Sequence, residues 1–262
     1  MFALIHKPSD FVIAHASSLD AFDASAFEHS VALALASEAP LYTIHTNKGV
    51  REAELPEVEP LLGRWRRPDI SHHQLRFDHC PDPVGVLLDQ LHDISPDLLV
   101  VGKRQSALLG DSSSESVSEA LSRNIRNPTL VLPHGRRGLV NASNGAITLK
   151  RVLIPVEEED AFHPAMEAIQ HILNRISVDR PELVLLHVGR RPLPCFAQAK
   201  VPTVTREGVL EDVVREVARE YDVDLIAMST NGHDSLLDMR HGSRTEHVLR
   251  SSEKPVLVVP YQ

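Results

Sequence analysis

Residues 224–261 read DLIAMSTNGHDSLLDMRHGSRTEHVLRSSEKPVLVVPY, and the order of residue types predicts strand, loop, helix, strand. The apolar run Leu225–Met228 breaks at Ser229, Thr230, Asn231 and Gly232, all residues that favour turns. After Gly232 come nine residues, then Gly242 and Ser243, then a helical pattern with Val248 and Leu249 on one side. Lys254-Pro255 stops that helix, and Val256–Val259 has the composition and length of a buried strand. A strand feeding a glycine-containing loop and then a helix N-terminus aims N–H groups outward, where a phosphate could sit in the favourable end of the helix dipole.

The same pattern occurs earlier in the chain. Asp97-Leu98 and Asp224-Leu225 are 127 residues apart, and so are Ser116 and Ser243, Glu119 and Glu246, Arg123 and Arg250, Pro128 and Pro255, and Pro133 and Pro260. A constant offset across several residue types marks an internal repeat. Further upstream the offset grows: His45 corresponds to His187, 142 residues away. The first half therefore carries about fifteen extra residues, which a surface loop tolerates. Asn47–Asp69, with Trp65 and its arginines, is the expected site of that insertion.

Each half reads as alternating strands and helices. In the first, strands are expected at Phe11–Ala14, Leu41–Thr46, Leu75–Phe77, Leu98–Val101 and Thr129–Leu132, with helices at Asp23–Ser37 and Val84–Ile94. In the second, strands are expected at Val152–Val156, Leu183–Val188, Val201–Thr205, Leu225–Met228 and Val256–Val259, with helices at Phe162–Ile176 and Val209–Tyr221. Such alternation implies an α/β fold with a parallel sheet and helices on both faces. His134–Lys150, with three glycines and several Asn and Ser, reads as an interdomain linker. The expected organisation is two tandem five-stranded α/β sandwich domains, 1–133 and 151–262, joined by 134–150.

Composition limits the function classes. An apolar fraction of 42% and a charged fraction of 24% describe a globular chain. With 4% aromatic residues and a net charge of −9, neither base-stacking platforms nor a phosphate-backbone footprint is supplied, so no nucleic-acid partner is expected. Cys80 and Cys195 form no disulfide framework and suit a reducing compartment. The opening MFALIHKPSDFVIAHASS lacks a basic segment followed by a long apolar core, and no apolar run reaches spanning length. A cytoplasmic location without a membrane span is the expectation.

The C-terminal stretch resembles the universal stress protein family, whose signature is Gly, two residues, Gly, nine residues, Gly, then Ser or Thr. Here it stands as Ser229-x-x-Gly232, nine residues, Gly242-Ser243, flanked by Met228, Glu246, Arg250 and Pro255-Val-Leu-Val-Val259. The resemblance extends over both halves and implies a Rossmann-like fold of the adenine nucleotide alpha hydrolase-like kind. It also implies a site for ATP, with Mg²⁺, in the second half. On that resemblance Met228, Ser229, Asn231 and Gly232 hold ribose and phosphates, while Gly242, Ser243 and Arg244 receive the phosphates. Val188 contacts adenine, and Pro155 and Glu157 stand at the end of the first strand of that half, where the family's nucleotide binders place an aspartate. Three departures follow. Ser229 replaces a glycine, Glu157 is one methylene longer than aspartate, and the next residues are Glu158, Glu159 and Asp160 rather than Gly-Ser. Four carboxylates beside a triphosphate repel it unless they face solvent or share a divalent ion with it.

The first half departs further. Gly102 is present, but Gln105 and Glu115 replace the second and third glycines, and Ala16 is read as standing at the aspartate position. Glu115 would place a carboxylate at the helix N-terminus, where the dipole would otherwise favour phosphate. This half reads as lacking nucleotide binding.

Plainer roles compete for the same residues. Ser243-x-x-Glu246 and Ser116-x-x-Glu119 fit a capping box. His45 and His187 end buried strands and are expected to hold structural hydrogen bonds. His72, His73, His79 and Cys80 match no zinc spacing and are read as a solvated loop. Cys195, between prolines, has no base nearby in sequence, and no catalytic constellation emerges, so at most weak ATP hydrolysis is expected. Two readings stay open. One is a stress-response module that senses nucleotide through its second half; the other is a nucleotide-independent interaction scaffold for an unidentified protein partner. In both, the last strands Thr129–Leu132 and Val256–Val259 need covering, and the resemblance implies that the halves pair there as a pseudo-dimer, with homodimers also open. An enzyme such as a nucleotidyl transferase would need a phosphate-activating motif that the sequence does not show.

Overall fold

The computed structural model describes residues 11–19, 23–49, 54–103, 127–133, 138–159, 162–176, 179–231 and 244–261. Ten strands form one sheet: β1 (Ile13–Ala16), β2 (Leu41–Thr46), β3 (His72–Phe77), β4 (Leu98–Gly102), β5 (Thr129–Leu132), β6 (Arg151–Pro155), β7 (Glu182–Val188), β8 (Thr203–Arg206), β9 (Leu225–Asn231) and β10 (Val256–Tyr261). Their order is β3-β2-β1-β4-β5-β10-β9-β6-β7-β8. Each set of five thus has its third, second, first, fourth and fifth strand side by side, and all neighbours within a set are parallel. The sets meet at β5 and β10, which pair antiparallel with Val256 opposite Val131, Leu257 opposite Leu130 and Val258 opposite Thr129. Each apolar edge run covers the other, and the result is an α/β fold with a mostly parallel sheet.

Alternation along the strands sorts the core into two layers. Leu225, Ala227, Leu257 and Val259 face one side with α1 (Ala24–Ser37), α2 (Glu59–Trp65) and α4 (Phe162–Ile176). Ile226, Met228, Val256 and Val258 face the other with α3 (Pro83–Ile94), α5 (Leu210–Glu220) and α6 (Arg244–Ser251). In α5, Val213, Val214, Val217 and Ala218 turn inward while Glu216 and Arg219 stay outside, the one-sided pattern of a surface helix. In contrast, α1 is buried over the continuous run Ala26–Ala34 except at the half-buried Glu28, because it also meets α4 of the other set. Asp82 caps α3 by accepting from the Gly85 N–H at 3.0 Å, and Pro83 opens the helix.

The repeated aspartates have a shared task. Asp97 Oδ2 accepts the Val12 N–H at 2.7 Å, and Asp224 Oδ2 accepts those of Lys150 and Arg151 at 2.7 and 3.1 Å. Each carboxylate thereby fastens the entry of its set's first strand, which accounts for the conservation of type across the 127-residue offset.

Two sequence expectations need correction, and a third gains detail. The insertion Asn47–Asp69 is not all loop, because Leu62 and Trp65 bury one side of α2. Strand β3 begins at His72 rather than Leu75, because all six residues of β2 find partners in it. Within 138–150, the segment read as a linker is fastened down. Val140 and Ile147 form an antiparallel bridge, Leu139 and Leu149 are buried, and Trp65 Nε1 donates to the Ala142 carbonyl at 2.9 Å. Gly145 has φ +68°, and a Cβ there would come within 2.6 Å of the Trp65 ring, so both backbone sign and space require glycine.

Candidate functional site

In an open parallel sheet, the crevice lies at the C-terminal ends of the strands where the chain switches direction. In the second set that point is between β6 and β9. These strands pair only at Val152 with Leu225 and Leu153 with Ile226, whereas β1 and β4 pair over four positions, from Ile13 with Leu98 to Ala16 with Val101. The cause is visible in the N–H directions, which alternate along a strand. The Arg151 N–H points to the β9 side and the Val156 N–H bonds Leu186 of β7, so residue 155 faces β9. It is proline and has no N–H to give. Pro155 therefore stops the ladder and parts the strand ends, while Ala16 at the equivalent place lets the first set zip shut.

That register also corrects a sequence alignment. Val12 and Arg151 occupy equivalent positions, as do Ser17 and Val156, whose carbonyls accept from His45 Nδ1 at 2.8 Å and His187 Nδ1 at 3.0 Å. The counterpart of Glu157 is thus Ser18, and Ala16 corresponds to Pro155. The two strand-end histidines are held by the same backbone carbonyl in each set. Gly189 leaves room for one of them, since a Cβ there would lie 2.4 Å from His187 Nε2.

Around the crevice, Pro155 is buried and Glu157 emerges from the end of β6. Arg244, the first residue of α6, donates from Nη1 to Glu157 Oε2 at 2.8 Å. The pair joins the end of β6 to the start of α6 and neutralises one carboxylate of the acidic run. Glu158 and Glu159 are exposed, so their charges are screened by water rather than aimed inward. Val188 ends β7 half-buried against the core. Met228 lies in the strand as expected, but Ser229 and Asn231 do not lie in a loop, as their turn-forming types suggested. Ser229, Thr230 and Asn231 extend β9 beyond Met228, because β10 runs on to Tyr261 and offers them partners. Met228 is buried with its side chain in the core, leaving only its backbone for any ligand. Gly232, Gly242 and Ser243 lie outside the described residues, as do Gln105, Glu115, Ser116 and Glu119.

The equivalent place in the first set is filled by its own side chains. His15 Nε2 lies 3.2 Å from Asp23 Oδ2, and Ser17 Oγ donates to the same oxygen at 2.6 Å, all three residues buried. Burial pushes the Asp23 carboxyl up, but His15, Ser17 and the Ser18 amide outweigh it and hold it below the ordinary aspartate range. Among the described residues no three His, Cys, Asp or Glu side chains come together as a metal site. His72 bonds Thr43, His73 stacks on Tyr42, and Cys80 Sγ faces the Phe77 carbonyl. The Cys195 thiol is pushed up by burial and by Glu159, away from nucleophilic form. No described helix is long and apolar enough to cross a membrane.

Residues 196–260 match the profile of the Universal stress protein family. Universal stress protein Sll1654 of Synechocystis is 27% identical over 150 residues, which take in 47% of this chain and 94% of that protein. Universal stress protein MJ0577 of Methanocaldococcus jannaschii is 37% identical over 60 residues, 23% of this chain and 37% of that one. The crystal structure of a universal stress protein from Archaeoglobus fulgidus superposes with a TM-score of 0.64 at 16% identity, covering 95% of this chain and 96% of that one. The sequence likeness to universal stress proteins is thus carried most directly by residues 196–260, and the superposition shows a shared fold over nearly the whole chain.

Proposed function

We propose that this is a tandem universal stress protein of the stress response. Its domains would be 1–133 and 151–262, and the second would bind ATP or a related adenine nucleotide, with Mg²⁺, as a sensing or regulatory site. The observation that carries the reading is the crevice parted by Pro155, with Arg244 at the adjoining helix start. Such a place offers a nucleotide an opening between strand ends and a guanidinium for its phosphates. Glu157 occupies that guanidinium until phosphate competes for it. The remaining contacts in this reading are Val188 to the base and Ser229, Asn231, Gly232, Gly242 and Ser243 to ribose and phosphates. No described group is placed to activate a water, so occupancy rather than turnover would be the signal.

Titration calorimetry of the full chain with Mg-ATP tests this, beside a Gly232→Asp, Gly242→Asp variant. Saturable binding near one site per chain, lost in the variant, supports the reading. Absence of heat at millimolar nucleotide, with folded ligand-free protein, overturns it. The closed β1–β4 ladder of the first set favours the second reading for that half, a scaffold that holds a protein partner without nucleotide.

A further inference from the structure

The helix that begins at Arg244 is held at its other end by the opposite half of the molecule. Lys103, the residue after β4, donates from Nζ to the carbonyls of Leu249 and Arg250, each at 2.5 Å. These belong to the last turn of α6, whose carbonyls have no partner within the helix and carry the negative end of its dipole. The antiparallel seam makes the meeting geometrically necessary. Because β5 and β10 run in opposite directions, the C-terminal rim of the first set lies beside the end at which α6 returns to β10. Lys103 itself is fixed there, its N–H bonded to the Leu132 carbonyl of β5 at 2.8 Å.

We infer that Lys103 is a positioning residue through which the first half sets α6, and with it the anion-binding end of that helix in the second half. The inference rests on the proposed nucleotide site. Eight residues make too short a helix to persist by local propensity, so its placement depends on what grips its sides and ends. Thr245, Glu246, Val248 and Leu249 are buried along its side, Arg244 meets Glu157 at the start, and Lys103 closes the finish. Loosening the finish frays a two-turn helix throughout, displacing Arg244. The dependence need not be mutual, because Thr230, the counterpart of Lys103 across the 127-residue offset, carries no cation. The end of β4, which keeps the first glycine of the phosphate signature, Gly102, thus serves the neighbouring site.

The test compares K103M and K103R with the wild-type chain by hydrogen exchange over residues 244–251 and by calorimetric titration with Mg-ATP. The expectation is faster exchange confined to α6 in K103M and about five-fold weaker ATP binding, the loss matching one helix-terminal charge contact. K103R, which keeps the cation, should restore both. Faster exchange with unchanged affinity overturns the coupling, as does unchanged exchange. If the wild-type chain takes no ATP, the proposed function fails on its own, and the exchange arm still decides: unaltered α6 protection in K103M removes Lys103 as its anchor, whereas confined loss upholds it.

Discussion

His29 Nε2 accepts the Leu139 N–H at 2.8 Å, while its Nδ1 lies 2.6 Å from the Ser25 carbonyl. A backbone N–H can only donate and a carbonyl can only accept, so the ring must be neutral with its proton on Nδ1. Burial pushes its pKa down to about 4, partly opposed by the Ser25 carbonyl. A histidine depressed in the folded state leaves stability level above its unfolded value and removes it as pH falls towards the folded value. Between pH 6.5 and 4 the loss should reach about 3 kcal/mol, and a His29→Gln chain should show a shallower decline in urea melts across that window. Parallel slopes in the two proteins would contradict the assignment.

Pro155→Ala restores the N–H that faces β9. The β6–β9 ladder should lengthen, raising stability by about 1 kcal/mol while lowering ATP affinity by about ten-fold as the strand ends close. Chemical denaturation and calorimetry read the two effects separately. An unchanged affinity would show that the parted strands do not form the nucleotide opening.

Glu157→Gln should release the Arg244 guanidinium and tighten ATP severalfold, whereas Arg244→Gln should weaken it. Because both side chains reach solvent, each at two-fifths exposure or more, neither change should move stability by more than about 0.5 kcal/mol. Weaker binding in Glu157→Gln would instead assign the carboxylate a direct ligand contact.

Asp23→Ala removes the acceptor shared by His15 and Ser17 inside the first half. Leaving buried polar groups unpaired should cost about 2 kcal/mol or more. Since the carboxyl is held below its ordinary range, its contribution is fully present above that range and is lost as pH falls below it. Acid unfolding of the Asp23→Ala chain should therefore lose that component, which a pH-dependent melt would reveal.

Much of this architecture was legible in the chain. The helix Phe162–Ile176 and the strand Leu41–Thr46 follow from apolar periodicity with no shift in bounds, and the need to cover the two edge runs follows from their bare apolar character. The 127-residue offset identified the repeated aspartates, although their role as fasteners for the first strands needed coordinates. What escaped was set by partners distant in sequence. Asn231 has a turn-former's side chain yet lies in a strand, because Tyr261 pairs with it. Trp65 reads as a loop residue until Ala142 and Gly145 close around it. Pro155 stands out in the sequence only for its place in a motif, while its physical effect, a missing N–H toward β9, depends on which neighbour that face meets. By sequence, Ala16 falls two residues from its structural counterpart, because short strands carry too little pattern to fix register.

The antiparallel seam has a thermodynamic corollary. A polypeptide with one five-strand set would leave a Val256–Val259-like run bare until it met a second molecule, and the encounter would weaken on dilution. Here the complementary run is tethered to the same chain, so the effective concentration is fixed and pairing is unimolecular. Dilution therefore does not weaken the pairing of the halves. An open crevice is thereby always matched with a closed one, in a ratio of one to one, and an asymmetric contact such as Lys103 to α6 can exist once per molecule without having to satisfy its mirror image.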